Sequence, residues 1–348
     1  MEFSPDYSHF EAVMRNRRPA RLPIYEHLVN VEFMEAVLGV RFAGLAAGAP
    51  RDVQEFLRQY CRFFREMTYD TVSFEVCIGD FMEGRSAICG GQGPIQSRAD
   101  YEAFDWSGIP RRFWEHAHPR FEALAAVLPA GMKAVGGVGN GVFELAECFV
   151  GLEYLPFIQA DDPELYSELF ERVGALMLDI WTTFLERHAA AFVACRFGDD
   201  LGFKSSLLTH PDTVRRHIIP QYRRVIDAVH RAGKPFLWHS CGCIFEVMED
   251  AIAAGIDAKH SNEDAIAPFE RWIALYGDRI GLCGGFDLGF LCQKSPDEIR
   301  SAVFDEGRRF RCAARGYALG SGNSIPGYVP VDNYLAMIEG ARRIRAEE

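Results

Sequence analysis

Lys234-Pro235-Phe236-Leu237-Trp238-His239-Ser240-Cys241-Gly242 passes from an apolar run into a loop of small and polar residues. The run reads as a buried strand that opens at its C-terminal end. Residues two apart at a strand end point to the same side, so His239 and Cys241 are expected to face one another. An imidazole nitrogen and a thiolate sulfur together suit Zn²⁺ better than Mg²⁺ or Ca²⁺. Two ligands are half a site, and the remainder must come from elsewhere in the chain.

Short apolar runs recur on both sides of this segment. Strands are predicted over 22–27, 70–76, 133–138, 192–197, 235–239, 257–260, 279–284 and 317–320, with amphipathic stretches between them at 163–188, 211–232, 296–313 and 331–345. Eight strands alternating with helices predict parallel βαβ units, closed most economically into a (β/α)₈ TIM barrel; an open doubly wound sheet is the alternative. Ser295-Pro296-Asp297-Glu298 and Asp162-Pro163-Glu164 place a capping side chain, a proline and acids at helix starts. No Gly/Ser-rich linker divides the 348 residues, which are expected to form one barrel domain over 1–348 with an N-terminal extension. The glycine-rich stretch 79–106 is read as an excursion over the barrel.

In such a barrel the residues after each strand converge on one mouth. They are Tyr25, Glu26 and His27 after the first strand, Glu75 and Cys77 after the second, and Asn140 after the third. Asp199 and Asp200 follow the fourth, and His239, Cys241 and Cys243 the fifth. His260, Asn262, Glu263 and Asp264 follow the sixth, Cys283 and Asp287 the seventh, and Ser321, Asn323 and Ser324 the eighth. Cys283 lies in Ile280-Gly-Leu-Cys-Gly-Gly-Phe-Asp287, whose glycines admit close approach. With His239 and Cys241 it would complete a Cys₂His metal site whose fourth position is open to water or substrate, with Glu263, Asp199 and Ser321 in reserve. Tyr25, Asn140, Asp200, Trp238 and Asn323 are the candidate substrate-binding residues. Gly136-Gly-Val-Gly-Asn-Gly141 lacks the spacing of a dinucleotide loop and reads instead as room for substrate beside Asn140.

Composition narrows the partners. Charged residues make up 25% and hydrophobic ones 49%, as in an ordinary globular protein with a large core. The net charge of -12 argues against nucleic acid, whose phosphates demand a basic surface. The start, Met1-Glu-Phe-Ser-Pro-Asp-Tyr, carries no apolar leader, and no run reaches the length of a membrane span, so a cytoplasmic protein is expected. In that compartment Cys61, Cys77, Cys89, Cys148, Cys195, Cys292 and Cys312 read as small buried hydrophobes.

Four segments carry a resemblance. Residues 211–242, ending in His-Ser-Cys-Gly, are followed by Gly255-Ile-Asp-Ala-Lys-His260, by Gly277-Asp-Arg-Ile-Gly-Leu-Cys-Gly-Gly-Phe-Asp287, and by Gly320-Ser-Gly-Asn-Ser-Ile-Pro326 with Val329-Pro-Val-Asp-Asn333. Their order resembles the uroporphyrinogen decarboxylase superfamily of (β/α)₈ barrels. The decarboxylase branch grips its substrate carboxylates with an Arg-Gln-Ala-Gly-Arg element near the N-terminus; here the comparable place reads Ile24-Tyr-Glu-His-Leu-Val-Asn30, which has no such clamp. His239-x-Cys241 is similar instead to the zinc methyltransferases that work with a corrinoid protein. Members that methylate a thiol carry a cysteine in the C-terminal glycine loop, where this chain has Ser321. Cys283 resembles the pattern of the demethylating members. The resemblance thus implies transfer of a methyl group from a small methoxylated donor, aromatic or aliphatic, to the cob(I)alamin of a separate corrinoid protein. Zinc would serve as Lewis acid, and Glu26, His27 or Asp199 would protonate the leaving oxygen. It also implies a possible homodimer, since relatives often pair. The rivals are a metal-free lyase of the same superfamily and a barrel that only binds.

Overall fold

In a computed structural model, described over residues 3–82 and 91–348, seven parallel strands form one curled sheet in sequential order. They are β1 (Thr71–Cys77), β2 (Lys133–Gly139), β3 (Phe192–Gly198), β4 (Phe236–His239), β5 (Ala258–His260), β6 (Gly281–Phe286) and β7 (Tyr317–Ser321). Each lies within two residues of a predicted strand. All are buried almost throughout, as expected when a sheet is covered on one face by helices and on the other by its own interior. The helices begin as their sequences predict. Asp162 accepts from the Leu165 N–H at the head of Pro163–Arg187, and Ser295 and Glu298 form a reciprocal capping box at the head of Pro296–Ala313.

The predicted first strand departs from expectation. Segment 22–27 makes a single parallel bridge, Ile24 to Leu319, with Tyr25 N–H donating to Leu319 (2.9 Å) and Leu319 N–H donating to Pro23 (3.0 Å). Among the described residues no backbone hydrogen bond joins this segment to β1. Side chains take the carbonyls instead: the Ser73 hydroxyl donates to Glu26 O, and Arg196 Nη1 donates to His27 O at 2.8 Å. Pro23 has no N–H to offer a ladder. The sheet is therefore a seven-stranded, partly closed barrel with a seam beside β1. Seven of the eight predicted strands form the sheet, and the remaining segment adds one bridge to it among the described residues.

The N-terminal helix Ser8–Met14 closes the floor. Its Phe10, Val13 and Met14 pack with Leu237, Ala258, Cys283 and Ala318 from the strands. The predicted helix 211–232 is interrupted: a π-type turn, Val214–Ile218, precedes Ile219–Arg231. Pro220 explains it, since proline cannot donate back along an α-helical ladder. Of the excursion at 79–106, Gly93 and Ile95 donate to the carbonyls of Val150 and Phe149 (2.9 Å each), which ties the stretch to the end of helix Val142–Val150. Cys89 lies outside the described residues. Cys61, Cys148 and Cys195 are buried as predicted, whereas Cys312 is exposed at the end of Pro296–Ala313. Among the described residues no helix is long and apolar enough to cross a membrane.

Candidate metal centre at the barrel mouth

β4 and β5 end side by side, with His239 in register with His260. The side chains alternate, so His239 turns into the mouth and Trp238 turns outward to pack on Tyr222 (5.9 Å between ring centres). Trp238 is thus a layer residue between sheet and helices, away from the mouth where substrate binding was predicted.

Hydrogen-bond direction fixes the protons on the two histidines. His260 Nε2 lies 3.0 Å from the Ser321 carbonyl, which can only accept, so Nε2 carries the hydrogen. Burial holds the His260 pKa down at about 3, so the ring is neutral and its Nδ1 is a bare acceptor. His239 Nδ1, 2.8 Å away, must therefore donate to it. His239 is also held neutral, by burial first and then by the charges it faces. Its Nε2 is left as a lone pair, and that atom faces Cys241 Sγ at 3.4 Å and Asp200 Oδ1 at 3.8 Å.

This order of protons chooses between two ligand groups. Asp200, His239 and Cys241 bring one ligand atom each within 4.8 Å of one another, and so do His27, His239 and His260. Both His260 nitrogens are already engaged, so the second group gathers a metal only by breaking one of these hydrogen bonds. The first offers a nitrogen lone pair, a sulfur and a carboxylate oxygen, a set suited to zinc with a fourth position left open. Ser261 Oγ (3.7 Å) and Asn323 Nδ2 (3.3 Å) donate to the same sulfur, and Asp200 also accepts from the Cys241 N–H at 2.9 Å. Burial pushes the Cys241 thiol up, and the Asp200 charge adds to this, so a cation is needed to hold it as thiolate. Cys283 is brought to neither group. It is buried in the apolar floor with Tyr25, Leu237 and Ala318.

The remaining predicted residues divide by the company they keep. His27 stacks flat on His239, with ring centres 3.7 Å apart and planes within 6°. Its Nδ1 is buried with no hydrogen-bond partner among the described residues, and burial plus Arg196 keeps it neutral. Tyr25 accepts from Arg196 (2.7 Å) beneath the mouth and meets His260 edge-on at 5.3 Å. Asn140, in left-handed conformation (φ 67°), accepts from the Gly79 N–H and donates to Glu144, each at 3.0 Å, so its side chain holds the turn after β2. Asp199 is fully buried, accepting from the N–H groups of Phe143 (3.0 Å) and Glu144 (2.8 Å) and from the Tyr222 hydroxyl. That is a cap for helix Val142–Val150. Burial raises its pKa to about 6 against these bonds.

Glu26 is fully buried, and desolvation raises its pKa to about 8. Its neighbour agrees. The Ser321 hydroxyl has one hydrogen yet contacts two acceptors, Glu26 Oε2 and Asn323 O. A protonated Glu26 donating to Ser321 Oγ, with Ser321 donating to Asn323, satisfies all three groups.

Arg196 was not singled out from the sequence, although a lone arginine inside the apolar strand Phe192–Gly198 was the signal. It is fully buried, pairs with Glu75 and holds both Tyr25 and His27. Glu144 was missed as well. It is buried beside Asp199 and Asp200, and desolvation followed by those charges raises its pKa well above the usual carboxylate range.

A family model described as uroporphyrinogen decarboxylase (URO-D) matches residues 107–344. The chain belongs to the uroporphyrinogen decarboxylase family. Among solved structures a methyltransferase from Methanosarcina mazei aligns with a TM-score of 0.74 and 15% identity, over 97% of this chain and 98% of that one. Dispersin B gives 0.41 at 10% identity over 87% and 97% of the two chains. A xylose isomerase domain protein from Alicyclobacillus acidocaldarius gives 0.40 at 12% identity over 87% and 95%. At such identity the first alignment speaks for the fold, and the other two carry nothing further. No curated protein matches significantly. As a uroporphyrinogen decarboxylase family barrel, the chain carries its polar cluster where such barrels build sites, at the C-terminal ends of its strands.

Proposed function

We propose that this protein is a zinc-dependent methyltransferase. It would move a methyl group from a small methoxylated donor to the cob(I)alamin of a separate corrinoid protein. The observation that carries the reading is the convergence of Asp200, His239 and Cys241 within 4.8 Å, with the His239 Nε2 lone pair freed by His260. Family membership supports it, as does a fold shared with a protein titled a methyltransferase. Asp200 takes the place that the sequence reading gave to Cys283.

His239, Cys241 and Asp200 would hold the metal, and Zn²⁺ so bound supplies Lewis acidity at an ether oxygen, lowering the cost of an alkoxide or phenolate leaving group. The chain's own residues do the rest. His260 fixes the His239 ring by its Nδ1 bond, and His27 covers that ring on one face. Asn323 and Ser261 donate to the sulfur and hold it toward Asp200. Glu26, protonated at neutral pH, is a proton reservoir linked to the mouth through Ser321.

The test is the metal content of protein purified without added metal, for the native chain and for Cys241→Ser, Asp200→Asn and Cys283→Ser. About one zinc per chain, lost in Cys241→Ser, weakened in Asp200→Asn and kept in Cys283→Ser, is the expected result. Formation of methylcobalamin from cob(I)alamin and a methoxyarene then checks the reaction. A native chain that takes up no zinc would end this reading.

A further inference from the structure

Helix Pro50–Glu66 carries Arg51, Arg58, Arg62 and Arg65, all exposed. At 100° and 1.5 Å per residue, these spacings put the four on one face, roughly 60° wide and about 21 Å long. The opposite face, with Leu57, Tyr60, Phe63 and Phe64, is buried in the core. Arg58 and Arg62 pair along the helix with Glu55 and Glu66. The side chains of Arg51 and Arg65 make no hydrogen bond or ion pair with another described residue.

The arginine face borders a groove against helix Gly108–Val127. Two hollows, of about 590 and 500 Å³, lie along it and meet at Ala126. Arg51 and Arg120 line the first, and Arg58, Arg62 and Arg65 the second. Arg120 is held there by donating to the His116 carbonyl at 3.0 Å. Glu122 stands in the first hollow and Glu66 in the second. Five arginines against two glutamates make the groove positive, on a chain whose net charge is -12. Val53 and Leu128 add apolar surface. The second hollow lies at the floor end of the barrel, since Glu66 and Pro129 lead into the starts of β1 and β2. The groove is therefore separate from the candidate metal centre, which stands at the other end of the strands.

We propose that this groove docks an acidic, extended segment of a second protein. Charge complementarity carries the assignment: the groove is a positive strip on a negative molecule, which steers an acidic partner to this face and repels it elsewhere. Guanidinium forks bind carboxylates two bonds at a time. An extended chain of about seven residues, at ~3.3 Å each, spans the arginine face. The two glutamates favour a peptide over a uniform polyanion. Nucleic acid or polyphosphate would press negative charge against Glu66 and Glu122, whereas a peptide can set uncharged side chains there and on Val53 and Leu128. The assignment is independent of the methyltransferase reading.

The probe is a fluorescein-labelled peptide of alternating glutamate and alanine, long enough to span the arginine face, with the glutamine-for-glutamate peptide as its uncharged counterpart. Binding to the full chain is read by fluorescence anisotropy at low ionic strength. Arg51→Glu and Arg65→Glu alter exposed side chains without partners among the described residues, so both should fold, as circular dichroism checks. Arg231→Glu makes the same charge change at an exposed arginine on helix Ile219–Arg231 and serves as the control. The expected result is saturable binding of the glutamate peptide, weaker by at least about tenfold in Arg51→Glu and in Arg65→Glu and unchanged in Arg231→Glu. The glutamine peptide should not bind, and polyphosphate or a single-stranded oligonucleotide should displace the glutamate peptide less well, charge for charge, than the unlabelled glutamate peptide does. Absence of saturable binding overturns the assignment, as does equal weakening by Arg231→Glu or binding of the glutamine peptide. Displacement by polyphosphate or the oligonucleotide at equal or lower charge concentration would overturn it too, by showing a general anion surface.

Discussion

Replacing His260 with alanine tests the proton order on which the proposed metal centre depends. In the native chain His239 Nδ1–H donates to His260 Nδ1 at 2.8 Å, inside a group in which His239 is 4% exposed and His260 fully buried. Without His260 that N–H is buried with no acceptor, at a cost of about 1–3 kcal/mol. The alternative is to shift the proton to Nε2, which removes the lone pair facing Cys241 and Asp200. Either outcome is charged against metal binding. At a factor of ten per ~1.4 kcal/mol, zinc affinity should fall roughly tenfold to a hundredfold. The assay is competition with a chromophoric chelator at neutral pH, with thermal melts to confirm that the variant is folded. His260→Gln, whose amide oxygen accepts a hydrogen bond, should recover part of the loss. A folded His260→Ala protein that binds zinc as tightly as the native chain would refute the tautomer argument, and with it the preference for Asp200, His239 and Cys241 over the three-histidine group.

Further outcomes follow from buried groups outside that pair. The raised pKa of Glu26, from 4.5 to about 8, stabilises the fold below pH ~4.5 and is progressively lost as pH rises toward 8. Glu26→Gln should therefore flatten the fall in urea-unfolding stability between pH 5 and 8, and an unchanged slope would remove Glu26 as its source. Arg196→Met leaves the Glu75 carboxylate in a buried site without its partner and should cost about 3–5 kcal/mol by denaturant titration. Asp199→Ala strips two helix N–H groups and the Tyr222 hydroxyl of their acceptor, which predicts a loss of about 2–4 kcal/mol; Asp199→Asn should lose less, because its amide oxygen still accepts.

Where the sequence was read correctly, the signal was local. The strand ending at His239 announced itself by an apolar run breaking into a polar loop, and period two put His239 and Cys241 on one side. Caps such as Asp162 and Ser295 depend on three or four neighbouring residues and appear where expected. Trp238 shows the limit of the same reasoning. It sits at the strand end as predicted, but the alternation that turns His239 inward sends Trp238 out to the helices.

The chain's order of strands and helices, its family and the His239–Cys241 pair are properties of spacing along the backbone, and spacing is written in the sequence. The proposed third ligand is not. Asp200 and Cys283 both follow predicted strands, and nothing near either one tells that Asp200 faces His239 while Cys283 drops into the floor beside Ala318. That depends on how strands far apart in sequence stagger against one another. The proton order on His239 and His260 depends on a carbonyl 61 residues away, and the seam beside β1 depends on Ser73 and Arg196 taking carbonyls that a ladder would have used. Hydrogen bonds and charges act over a few ångströms, so these features arise when distant segments meet.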